Sequence, residues 1–129
     1  MGKSQRNKGA GYEREVCEVF SAALGITVKR NIGQARDGGN DANAGPLVLE
    51  MKRRKTLGTV ESWLLQAAAA CDTSDQYPVV VCRSDGGKSM VIMDLDHFLE
   101  IAGDWLLDEI AQPKPVDKFM SLRAAGRVL

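Results

Sequence analysis

Asp41, Glu50 and Lys52 are the residues of this chain whose types and spacing suit catalysis. Glu50 and Lys52 stand two apart in the apolar run Leu47-Val48-Leu49-Glu50-Met51-Lys52, which reads as a β-strand. Side chains alternate along a strand, so Val48, Glu50 and Lys52 share one face while Leu47, Leu49 and Met51 share the other. An acid and a base on an otherwise apolar strand are costly to desolvate unless something uses them. A hard divalent cation is the natural third party. Mg²⁺ takes one or two carboxylates, waters and substrate phosphate, and Lys52 can orient or deprotonate a water beside it. The plain alternative is a solvent-facing ion pair, since Glu-x-Lys alone recurs by chance.

Two upstream features favour the chemical alternative. A helix is expected over residues 10–24, with Tyr12, Val16, Val19, Phe20, Ala23 and Leu24 at helical spacing and Gly25 as its stop. Glu13 falls at the edge of its buried face, where a metal ligand would have to come from, although capping or snorkelling would put it there too. Residues 25–32 read as a strand packing Ile26 and Val28 inward, with Ile32 a further candidate for that face. The glycine-rich loop from Gly33 to Asn40 carries Arg36 and lacks the spacing of a phosphate-binding or dinucleotide motif. Asp41 closes that loop, and Asn43-Ala44-Gly45-Pro46 turns the chain into the Glu50 strand. Adjacent strands joined by such a turn can bring Asp41 beside Glu50.

Downstream, a helix is expected over 59–71, a buried strand over 78–83, and a turn at 85–88. A returning strand over 89–93 and a helix from Asp94 or Asp96 to about Ala111 follow, the helix with Leu95, Phe98, Leu99, Ala102, Leu106 and Ile110 on its core face. At 129 residues the chain is expected to form a single domain, with residues 1–9 as a flexible basic arm and 112–129 as a tail. No stretch has the length of a membrane span, the start lacks a signal-like apolar region, and the three scattered cysteines read as reduced thiols. A cytoplasmic location, in a bacterial cell or a phage-infected host, follows as the expectation. Net charge is zero, but residues 1–55 hold eleven Lys and Arg against six Asp and Glu, and the remainder reverses that balance. Such a split can present one basic face, which keeps nucleic acid open as a partner.

The order of helix, strand, loop with aspartate, and strand with Glu-x-Lys resembles the PD-(D/E)XK, or restriction-endonuclease-like, nucleases. More narrowly, Lys8-Gly9-Ala10-Gly11-Tyr12-Glu13-Arg14-Glu15 resembles the start of the archaeal-type Holliday junction resolvases. The resemblance spans roughly residues 8–95 and implies an α/β fold, a central mixed sheet flanked by helices in the order αβββαββα. It departs in placing Asn40 where a proline precedes the motif aspartate. Carried onto this chain, it implies Glu13, Asp41, Glu50 and Lys52 as catalytic residues. Asp41, Glu50, the Met51 carbonyl and Glu13 become the ligands of one or two Mg²⁺ ions, with Mn²⁺ able to substitute. The activity implied is hydrolysis of phosphodiester bonds in branched DNA by a homodimer, for whose interface Trp63, Trp105 and Leu107 are candidates. Lys3, Arg6, Lys8, Arg30, Arg36, Arg53, Arg54 and Lys55 are the candidate phosphate contacts. The rivals are a nuclease of the same fold acting on flaps, ends or linear duplex, and a DNA-binding module without turnover.

Overall fold

The computed structural model describes residues 3–32 and 39–112, with side chains from Lys8 onward. Helix α1 runs Lys3–Leu24, so the expected flexible arm is helical from its third residue. Tyr12, Val16 and Cys17 fall on one face of α1 and are buried, with Phe20 packed beside them. Gly25 ends the helix at φ 69°, its N–H bonding the Ser21 carbonyl at 2.9 Å. That left-handed conformation comes without strain only to glycine.

The strand expected over 25–32 does not form. The segment makes one isolated antiparallel bridge, Arg30 with Ala42, and the Asn31 N–H bonds the Asp41 carbonyl at 2.7 Å. Its alternation is only half used: Val28 is buried, while Ile26 and Ile32 stay exposed. The Val28 N–H bonds Ser21 Oγ at 2.8 Å instead of a ladder partner.

Among the described residues the sheet has four strands: β1 (Ala42–Ala44), β2 (Leu47–Arg54), β3 (Tyr77–Ser84) and β4 (Met90–Ile92). They lie side by side in chain order. β1 pairs antiparallel with β2, β2 parallel with β3, and β3 antiparallel with β4. A parallel pair needs a crossover, and helix α2 (Val60–Ala69) supplies it, packing on both β2 and β3. Leu49, Met51, Val79 and Val81 join Tyr12, Val16 and Cys17 of α1 in one core. The alternate residues Val48, Val80 and Cys82, also buried, belong to the opposite face. β3 is buried from Pro78 through Cys82, as its unbroken apolar run requires of a central strand. The fold is thus α/β with a mixed sheet, as expected, and among the described residues it is one strand short of the expected order.

The chain divides into two compact units, the first ending at Met93 and the second starting at Asp94. In the second, helix α3 (Leu95–Ala111) begins after the N-cap Asp94, as the sequence indicates.

Candidate active site

Two edges of secondary structure place the motif acids. Gly45, at φ 55°, lets the chain reverse between β1 and β2, and the resulting register sets Ala42 against Leu49. Continued by one residue, it puts Asp41 across from Glu50. The Asp41 N–H bonds the Leu49 carbonyl at 3.0 Å, and Asp41 Oδ2 accepts the Met51 N–H at 2.7 Å. The carboxylate thus takes a hydrogen bond that a longer β1 would have supplied. Strand groups two residues apart point to the same edge, so the Met51 carbonyl is directed there as well.

Glu50 lies on β2 with its side chain only 4% exposed. Its Oε1 is 3.3 Å from Lys52 Nζ, whereas its buried Oε2 has no hydrogen-bond partner among the described residues. Burial pushes the Glu50 carboxyl up to about 7, Asp41 adds to the rise through its charge and through a hydrogen bond between the two carboxyls, and Lys52 opposes it. A buried carboxyl oxygen beside a second acid is a cost unless a proton shared between the two acids, or a cation, fills the gap.

Glu13 lies near enough to Asp41 and Lys52 to feel both charges, and is paired with Arg30. Its Oε1 is 3.2 Å from Arg30 Nε, both side chains about four-fifths buried. Burial and the Asp41 charge raise its carboxyl, while Arg30 and, to a smaller extent, Lys52 lower it. Among the described residues no three acid, histidine or cysteine side chains gather closely enough to hold a metal ion. Asp41 and Glu50 are nevertheless a fitting donor set for Mg²⁺, which needs only one or two carboxylates beside carbonyl and water oxygens.

The expected phosphate contacts separate by partner. Lys8 Nζ and Arg53 Nε reach the same acid, Asp85 Oδ1, at 2.7 and 3.5 Å. The guanidinium of Arg54 lies 5.6 Å from the centre of the Trp63 ring, and Lys55 is exposed. Arg30 is committed to Glu13. Arg36 lies outside the described residues, as do the side chains of Lys3 and Arg6.

Two contributors escape a reading of the sequence. Asp85 looks like an ordinary turn residue, yet it ties the β3–β4 turn to α1 and β2. Asn40 is buried, and its amide donates to the Ala42 carbonyl and, at 3.2 Å, to Asn43 Oδ1. It braces the chain on either side of Asp41. Its place directly before the motif acid was the signal available.

The α/β fold with its four-stranded mixed sheet is consistent with a restriction-endonuclease-like core. A family model described as Phage putative PDDEXK endonuclease matches residues 4–106, and the chain belongs to that family. DNA is accordingly its substrate class, and divalent metals are typical of such nucleases. No curated protein and no solved structure matches the chain. No helix among the described residues is long and apolar enough to cross a membrane.

Proposed function

We propose that the chain is a Mg²⁺-dependent endonuclease that cuts branched DNA, Holliday junctions foremost, and works as a homodimer. The observation carrying the metal-dependent chemistry is the buried, unpartnered Oε2 of Glu50 beside Asp41. Asp41, Glu50 and the Met51 carbonyl would hold the ion. When bound, it would polarise the scissile phosphate and lower the pKa of water.

The chain's own residues do the rest. Asp41 is oriented by the Met51 N–H and cannot swing away without leaving that donor unpaired. Lys52, held 3.3 Å from Glu50, can position the attacking water or stabilise charge developing on the phosphate. The low exposure around Glu50 strengthens both interactions by excluding water.

Preference for junctions is supported by the Lys8-Gly9 pair preceding Glu13-Arg14-Glu15, and by the nearness of Glu13 to the centre. Junction resolution needs two incisions related by two-fold symmetry, and one chain carries one centre. A two-fold dimer supplies the second. Trp105 and Leu107, exposed on α3, are available to such an interface.

Cleavage of four-way, flap and linear DNA with Mg²⁺, alongside sedimentation at micromolar protein, tests the proposal. Paired cuts of the four-way substrate by a dimer are expected. A monomer that nicks flaps or ends equally well would leave the nuclease and remove the resolvase.

A further inference from the structure

We infer that Arg30 limits the centre to one divalent ion by holding Glu13 in an ion pair, so that Glu13 positions charge rather than ligating metal. The inference rests on the metal-dependent nuclease assignment above. Arg30 is fixed by its backbone. Its backbone bridges Ala42, and the next residue donates to the Asp41 carbonyl at 2.7 Å. The guanidinium therefore issues from the segment hydrogen-bonded to the motif aspartate itself. Its Nε meets Glu13 Oε1 at 3.2 Å, with the two side chains 23% and 20% exposed. That degree of burial leaves little water to screen the pair.

Each acid of the centre is thus committed differently. Asp41 accepts the Met51 N–H, Glu50 presents one oxygen to Lys52 and leaves the other unpartnered, and Glu13 faces Arg30. Only the Asp41 and Glu50 pair leaves a buried oxygen without a donor. A second dication at Glu13 would have to displace or sit against the fixed guanidinium charge, which repels it. Three carboxylates with Lys52 and Arg30 carry a net charge of −1, which a single dication already overturns. Removing Arg30 makes the group more acidic by one charge and frees Glu13 to ligate.

The test is Mn²⁺ binding to the full chain without DNA, read by calorimetry and by electron paramagnetic resonance. Wild type is expected to bind one Mn²⁺. Glu13→Gln should weaken that affinity only severalfold, through the lost charge, whereas Glu50→Gln should weaken it by more than the roughly tenfold typical of losing even an outer-shell partner. Arg30→Gln should bind two Mn²⁺ with a spin-coupled signal, Arg30→Lys should return to one, and Arg30→Gln with Glu13→Gln should also show one. Two ions in wild type, or a single ion in Arg30→Gln, overturns the role given to Arg30 while leaving the metal-dependent nuclease standing. A wild-type chain that binds no Mn²⁺, or binds it unaltered by Glu50→Gln, removes both.

Discussion

Glu50→Gln should abolish cleavage and yet stabilise the metal-free protein above neutral pH. In the folded chain burial and the Asp41 charge raise the Glu50 carboxyl from 4.5 to about 7. Between those values the native state keeps a proton that the unfolded chain has released. Stability from this group is therefore fully present below pH 4.5 and is lost as pH rises to about 7. The full loss corresponds to about 3 kcal/mol. Glutamine has the size of the protonated acid and does not ionise, so the variant avoids that loss. The attraction to Lys52 is already contained in that value, so the net expectation is a gain of about 3 kcal/mol at pH 8, shrinking to nothing near pH 4.5. Urea unfolding in EDTA at several pH values measures it. Added Mg²⁺ should then stabilise wild type more than the variant, since binding to the native state alone raises stability. A stability difference that is flat from pH 5 to 8 would refute the reasoning, because Glu50 would then titrate at its ordinary value.

Asp85→Asn should tighten binding to every DNA sequence alike and steepen its salt dependence by up to about two phosphate contacts, since it frees Lys8 and Arg53 together. Fluorescence anisotropy across a salt series measures this, and an unchanged slope would show that neither cation meets phosphate. Replacing Arg53 and Arg54 by alanine should lower affinity and flatten the same slope by about one unit per lost contact. Tyr12→Phe should cost about 1 kcal/mol in urea unfolding without altering Mn²⁺ affinity, because it removes only the 2.8 Å bond between Tyr12 and Ser89 hydroxyls.

The residues legible in the sequence were those whose roles depend on local pattern. Alternation in Leu47–Lys52 separated the core residues Leu49 and Met51 from Glu50 and Lys52. The turn at Asn43–Pro46 was enough to place Asp41 beside Glu50, and the register delivers it. Strand 25–32 failed because β-propensity describes a half-buried surface, and among the described residues Ile26 and Ile32 stay exposed. The partners of Glu13, Lys8 and Arg53 were illegible for another reason. Each is an acid–base contact between residues far apart in the chain, 77 positions for Lys8 and Asp85, and charge patterns carry no information about such pairings.

The end of β1 explains why an aspartate stands at position 41, and gives that residue two separable roles. β1 is only three residues long, and its ladder to β2 closes with the Asp41 N–H on the Leu49 carbonyl. The next N–H along that edge of β2, from Met51, has Asp41 Oδ2 as acceptor at 2.7 Å. A side chain of this length reaches one residue further than its own backbone could. It aligns the carboxylate with Glu50 as a consequence of satisfying the sheet. Asp41→Asn keeps a carbonyl oxygen that can accept the Met51 N–H, and removes a charge that raises the Glu50 carboxyl. It should unfold at a urea concentration equal to or above wild type at pH 8 while losing Mn²⁺ binding and cleavage. Asp41→Ala leaves the Met51 N–H without that acceptor, and should be less stable than Asp41→Asn by about 1–3 kcal/mol. Both variants should still bind DNA, since each lessens the negative charge facing phosphate. Equal stability of the two would mean that the sheet edge does not need Asp41, and its placement would have to come from Asn40 and the preceding loop instead.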